Sequence, residues 1–313
     1  MSSSLHEVII RAAKLMIQNI QRAGQIIAKP HRDAGRILDE TVTTLRDKDR
    51  LNLSEFRDNE SRFSRSRSEE YPAYVPSAAE RKMRERRLTR EDELTDSIDP
   101  STNYVYVMRS KIFGRTTLDS LSIYKPASGE RFGGRDWLPH RHGELAKREV
   151  GAFRMDQLFK FGRVPPTALT SGPHGPGMVQ QFMEFKRGKR EHEYDHVQQQ
   201  QVAVLHYVIG NGDGHRANYR PDVGDNLVAF DHGYSFPETP DPTRGDRRHT
   251  LRSDFVILHA GKALDKDVLR AVDEVDQAQV RSALGDLQLD RSAIDGAVER
   301  LNMIKTHRMI PPL

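Results

Sequence analysis

One stretch of this chain, VIGNGDGHRANYRPDVGDNLVAFDHGYS at residues 208–235, concentrates side chains that can move a proton or hold a cation. Asp213, His215 and Asn218 come first, and an apolar run from Leu227 to Phe230 then delivers Asp231 into an Asp-His-Gly tripeptide. Phosphoryl transfer from a nucleotide needs these types together: a carboxylate to orient an attacking hydroxyl, and an amide oxygen with a second carboxylate to hold Mg²⁺. Gly212 and Gly214 flank Asp213, so the backbone there can turn sharply and approach a ligand closely.

Two upstream residues complete the charge pattern. Lys125 ends an alternating strand and precedes Pro126, which presents its ammonium at a strand edge where it suits the phosphates of a nucleotide. Glu149 lies on the next helical segment among Leu145, Ala146, Ala152 and Phe153, where a carboxylate is costly unless paired. Lys125 is its natural partner. An ordinary half-exposed helix glutamate is the competing reading, and Glu144, in a less apolar setting, is the weaker rival for the pairing.

The elements that must position these groups follow from periodicity. Residues 104–108 and 118–125 read as two strands around a turn near Phe113 and Gly114. A Gly-rich loop (Gly129 to Gly134) leads to a helix over about 143–159, then to strands at 166–169 and 178–184 around the loop SGPHGPG. A helix over about 193–209 runs into the Asp213 loop. The last 60 or so residues read as helices, with Asp265, Asp276 and Asp290 as N-caps. Strands first and helices afterwards describe an α+β protein with two lobes.

Upstream of this, residues 5–28 form an amphipathic pattern (Leu5, Ile9, Ala12, Leu15, Met16, Ile20) suited to packing on its own domain or on a partner protein. Residues 55–98 are rich in Arg, Glu and Ser and predict a solvated linker or helix. The division expected is an N-terminal helical segment at 1–54, a charged linker at 55–100, an N-lobe at 101–185 and a C-lobe at 186–313.

Composition excludes several classes. The absence of cysteine rules out disulfides, thiolate nucleophiles and Cys-ligated zinc. No apolar run approaches the roughly 18 residues of a membrane span, and Arg11 and Lys14 break any signal-peptide pattern, so cytoplasmic residence is expected. A net charge of +4 with interspersed signs favours anionic partners without demanding nucleic acid, for which no motif is present. No G-x-S-x-G elbow appears, which argues against a hydrolase. His140 and His142 lack further ligands for a metal. The basic runs KRGKR (186–190) and RGDRRHTLR (244–252) read equally as solvated loops or as recruiters of an acidic substrate.

With these residues in place a family resemblance emerges. Asn218 follows Asp213 at the offset of base and metal amide in the protein-kinase catalytic loop. D-G-H-R-A-N followed by F-D-H-G-Y-S-F resembles the D-R-H-x-x-N and D-F-G-F-x-F motifs of the phosphatidylinositol 3-/4-kinase-like superfamily. The chain looks particularly like its small bacterial members, through YKPASGERFGG, ELAKREVGAF, VPPTAL and SGPHGPGMVQQF, over about 103–285. HipA-like kinases are a more distant relative.

The resemblance implies a bilobal kinase-like fold with an N-terminal helical extension, and transfer of the γ-phosphate of ATP to a hydroxyl on a protein, small molecule or inositol lipid. Asp213 would be the base, with His215 supporting the loop or the transferred phosphoryl group. Asn218 and Asp231 would hold Mg²⁺. Lys125, anchored by Glu149, would bind the phosphates, and Gln181, Met183 and Glu184 would lie at the adenine-binding hinge. Three departures stand out: Gly214 replaces the Arg of D-R-H, His232 replaces the Phe of D-F-G, and no G-x-G-x-x-G precedes Lys125. The last is expected of this superfamily. The other two keep open a nucleotide-binding pseudokinase or scaffold, and transfer of AMP on the same fold is a third reading.

Overall fold

The computed structural model describes residues 73–94, 103–109, 121–133, 137–238 and 251–313. The amphipathic pattern at 5–28, the turn near Phe113 and Gly114, and most of RGDRRHTLR lie outside the described residues. Among the described residues no helix is long and apolar enough to cross a membrane.

Four strands form one antiparallel sheet: β1 (Tyr106–Arg109), β2 (Leu121–Pro126), β3 (Thr167–Gly172) and β4 (Gly175–Gln181), in the order β1-β2-β4-β3. Between β2 and β3 runs α2 (Glu144–Phe159). It is buried on nearly every side, with Leu145, Val150, Phe153 and Phe159 packed beside the charged Arg148, Glu149 and Arg154. After the sheet comes α3 (His196–Ile209), whose residues Val202 to Ile209 are all buried. The short ladder β5 (Tyr219–Pro221) and β6 (Leu227–Ala229) follows. Helices α4 (Asp254–His259), α5 (Lys266–Asp273), α6 (Gln277–Gly285) and α7 (Arg291–His307) close the chain. Asp265, Asp276 and Asp290 cap the last three, as their sequence pattern predicts. The protein is therefore a mixed helix-and-sheet fold.

Two expectations are corrected. The loop SGPHGPG is mostly strand: β3 continues to Gly172 and β4 resumes at Gly175, so only Pro173 and His174 make the turn. The glycines serve close approach, since a Cβ on Gly177 would stand 2.2 Å from the Lys125 carbonyl oxygen. In turn β4 ends at Gln181, and Met183 and Glu184 lie beyond it.

The second correction concerns the charged stretch: in its described part, 73–94, one side packs on the sheet while Arg81, Lys82, Arg84 and Glu85 stay exposed. Ser77 caps α1 (Ala78–Arg84), and Met83 and Leu88 cluster with Tyr106, Met108, Tyr124 and Val179 on one face of the sheet. Glu80, 2% exposed, bonds Arg154 of α2 at 2.7 Å. A long-range partner for a charged residue leaves no local trace in sequence.

Candidate active site

Pairing of β2 with β4 sets Lys125 opposite Met178 and Ile123 opposite Gln180, so these four share one face of the sheet. That face turns toward α2. Lys125 Nζ donates to Glu149 Oε1 at 2.7 Å and to Asp231 Oδ1 at 2.9 Å. The other oxygen of Glu149 accepts the backbone N–H of His232 at 2.9 Å. One glutamate thereby ties the sheet lysine to the Asp231 turn. Glu144 is engaged elsewhere, with Arg148 at 2.5 Å and Lys147 at 3.2 Å.

The charges tune one another. Burial alone would lower the Lys125 ammonium, but Asp231 and Glu149 outweigh it and hold it above its ordinary value. Burial works to raise Asp231, and Lys125 overrides it to keep the carboxyl below the usual range. Glu149 is raised by burial, with Lys125 opposing. At neutral pH this leaves a cationic lysine beside an ionised Asp231.

The loop after α3 is built from backbone. Asp213 N–H donates to Asn211 Oδ1 at 2.9 Å, and Gly214 pairs in parallel with Ser253. Asn218 Nδ2 donates to the Asp213 carbonyl at 2.8 Å and approaches its Oδ2 at 3.4 Å. The Phe230 N–H donates to the Asn218 carbonyl at 2.9 Å, extending the β5–β6 ladder and bringing Asn218 to the same end as Asp231. His215 caps the turn Arg216–Asn218 and places Nε2 3.7 Å from Asp213 Oδ1. Asp231 itself has φ 63°, a left-handed conformation that a residue with a side chain adopts at a cost.

This donor set suits a hard divalent cation. The amide nitrogen of Asn218 donates to Asp213, which leaves its side-chain Oδ1 as an acceptor, and Asp231 could add a carboxylate; Mg²⁺ and Mn²⁺ both take such oxygens. His140 stacks on Phe132 and His142 Nδ1 meets the Ala127 carbonyl at 3.1 Å, so neither joins the site. No group of three or more His, Asp or Glu poised for a metal occurs among the described residues.

The hinge candidates divide. Gln181 pairs with Ser122 on the face opposite Lys125. With Met183 it lines a separate cavity of about 390 Å³, together with Phe153, Arg163, Pro166 and Val228. Phe182 instead packs with Val107, Leu121 and Ile123 beside Lys125. The period of two in the strand thus puts Gln180 and Phe182, rather than Gln181 and Met183, toward the lysine. Glu184 follows, partly exposed.

Neither a family model nor a curated protein sequence matches the chain. Solved structures do. One of the Golgi casein kinase shares 14% identity over 74% of this chain and 75% of that one, with a TM-score of 0.44. A second, of the Golgi casein kinase with Mn/ADP bound, shares 14% identity over 90% and 92%, with a TM-score of 0.47. The Helicobacter pylori proinflammatory kinase CtkA shares 10% identity over 69% of this chain and 92% of that one, with a TM-score of 0.43.

Three residues around the site escaped the sequence reading. Glu130 accepts the N–H groups of Gly143 and Ala146 at 2.9 and 2.8 Å, fixing the start of α2. Arg154 locks α2 to Glu80. His206, a lone imidazole inside the apolar run VAVLHYVI, reaches His232. That interruption of an otherwise apolar helix was the available signal for His206. Glu130 and Arg154 gave none.

Proposed function

We propose that this chain is a kinase of phosphatidylinositol 3-/4-kinase-like type that uses ATP and a divalent cation, Mg²⁺ or Mn²⁺, to phosphorylate a hydroxyl acceptor. The observation that carries it is the convergence of Lys125 on both Glu149 and Asp231, beside a loop in which Asn218 is bonded to Asp213. A structural ion pair needs one carboxylate. A lysine held by a buried glutamate and also touching a carboxylate in a left-handed turn is arranged for exchange of partners, in which phosphate oxygens take over the ammonium.

In this reading the sheet with α2 forms one lobe and the helices after β4 the other. Val107, Ile123 and Phe182, a buried apolar cluster on the face of Lys125, would border adenine, and the backbone of 182–184 would supply its hydrogen bonds. Lys125, kept cationic, neutralises phosphate charge, and Glu149 keeps it in place. Asn218 and Asp231 would hold the cation, which when bound would supply neutralisation of phosphate charge. Asp213 accepts the acceptor hydroxyl's hydrogen bond and takes its proton as the phosphoryl group leaves ADP, while His215 steadies the loop.

The test is direct. The full chain is titrated with ATP by thermal shift, with and without Mg²⁺ or Mn²⁺, then incubated with ATP and the products weighed intact. Metal-dependent stabilisation and a gain of about 80 Da on an acceptor or on the chain itself are expected, from the mass of a phosphoryl group. A gain of about 329 Da identifies AMP transfer instead. Binding with no turnover of ATP, even to ADP, identifies a scaffold.

A further inference from the structure

Behind Asp231 lies a column of polar groups that phosphotransfer itself does not use. His206 is 1% exposed and His232 wholly buried. Their Nε2 atoms are 3.3 Å apart, and His206 Nδ1 lies 2.9 Å from Ser253 Oγ. Two imidazole nitrogens at this distance meet when one Nε2 carries a hydrogen and the other is bare.

The remaining nitrogen sets the direction. His232 Nδ1 is buried without a partner among the described residues. An orphaned N–H is rarer and costlier than an orphaned lone pair, so Nδ1 is the bare nitrogen and His232 donates from Nε2. His206 then accepts at Nε2 and donates from Nδ1 to Ser253 Oγ, which also accepts from the Val256 N–H at 3.3 Å. The chain of donors runs His232, His206, Ser253.

Gly214 belongs to the same device. A Cβ there would lie 2.6 Å from His206 Nδ1 and 3.0 Å from the Ser253 Cβ. Any side chain at 214 would displace the imidazole. The two departures from the family motifs, Gly214 and His232, are thus one arrangement: the glycine opens the space for His206, and His206 gives the His232 ring its partner. His232 is pinned at both ends, its backbone N–H by Glu149 and its ring by His206. The residue it follows, Asp231, is the one with φ 63°.

We propose that His206 is a positioning residue for Asp231: by holding the His232 ring it fixes the adjoining left-handed turn, and so the direction in which the Asp231 carboxylate meets a divalent cation. This rests on the metal-nucleotide reading above. It also assigns the imidazole pair a role that apolar packing would fill elsewhere.

The experiment compares wild type, His206→Leu, His232→Phe, the double variant and His206→Gln. The readouts are Mn²⁺-dependent and metal-free binding of a fluorescent ADP analogue. Each single apolar variant strands the other imidazole in a dry site and should weaken Mn²⁺ half-saturation by about tenfold or more, the usual effect of losing a group that orients a metal ligand. Metal-free nucleotide affinity should not move. The double variant replaces both partners by apolar groups, which is nearly neutral, and should return to within about threefold of wild type. His206→Gln, whose side-chain oxygen can accept from His232, should do the same and serves if His206→Leu does not fold. Single variants with wild-type Mn²⁺ dependence, or an additive double variant, would overturn the proposal while leaving the kinase reading intact. Wild type that binds no Mn²⁺–nucleotide would instead overturn the kinase reading, and this one with it.

Discussion

The ammonium of Lys125 and the carboxylate of Asp231 meet at 2.9 Å across 106 residues of sequence. Glu149, on a third element, holds the same ammonium from the other side at 2.7 Å. Sheet, helix and loop therefore share one cation, and under the proposed function its loss has two expected effects, on folding and on nucleotide binding.

Lys125→Met keeps the volume and removes the charge. Glu149, 2% exposed, would then face Asp231 with the His232 N–H as its remaining support among the described residues. Removing one member of a buried ion pair typically costs about 3–5 kcal/mol. A loss near the lower figure is expected here, read as a shift of the urea midpoint at unchanged slope. ATP affinity should fall by about tenfold or more, the worth of a charge-assisted hydrogen bond to phosphate. Unchanged affinity would remove Lys125 from the nucleotide site.

Asp213→Ala separates positioning from chemistry. The stronger bond of Asn218 goes to the Asp213 backbone carbonyl, at 2.8 Å, and only the longer contact at 3.4 Å is to the carboxylate. The Asn218 amide thus stays oriented when the side chain is lost. Turnover should fall by about 10²–10⁴-fold, the typical contribution of a positioned base. Metal-dependent nucleotide binding should stay within about twofold. A parallel loss of binding and turnover would make Asp213 a structural residue.

The sequence showed these residues because each local signal was strong. Asp213 and Asn218 sit at a fixed spacing in one loop, Asp231 closes an apolar strand, and α2 displays Glu149 among apolar neighbours. Strand pairing supplied what spacing could not, namely that Lys125 chooses Glu149 and leaves Glu144 to Arg148. At the hinge candidates the strand ends at Gln181, three residues before the end that periodicity predicts, and pairing sets Gln181 on the face opposite Lys125. The charged stretch misled for another reason. Burial of Glu80 is paid by Arg154, 74 residues away, and no local pattern announces such a pair.

Arg154 gives that pair a measurable consequence. Its guanidinium donates to both oxygens of Glu80, to the Ala283 carbonyl at 2.9 Å and to Asp286, and it lies 3.9 Å over the Tyr74 ring. Arg154→Met should lower stability by about 3 kcal/mol, since Glu80 is left buried without a cation. Protease sensitivity should appear within 73–94, the segment the arginine anchors. Arg154→Lys should recover little of either. One ammonium cannot reproduce the planar fork that reaches two carboxylates and a carbonyl together. Full recovery by lysine would show that charge alone suffices.

Glu130 provides the pH signature. Burial raises its carboxyl from 4.5 to about 7, although the N–H groups of Ala146, Leu145 and Gly143 favour the ionised form. In the unfolded chain the group titrates near the ordinary glutamate value. Between about 4.5 and about 7 the folded state therefore holds a proton that the unfolded state has released. The stability this group adds is fully present below the lower value and is lost as pH rises through the upper one. Glu130→Gln removes the titration; its amide can also accept only one of the two N–H bonds, a loss that does not vary with pH. Urea midpoints measured from pH 4.5 to 8 should accordingly differ by an amount that depends on pH, wild type losing its advantage as pH rises. Other buried groups, such as Asp156 with its carboxyl raised by burial to about 6, titrate alike in both proteins and cancel in the difference. Parallel curves would mean that Glu130 is ionised throughout and that the start of α2 is fixed by a charge instead of by a neutral carboxyl.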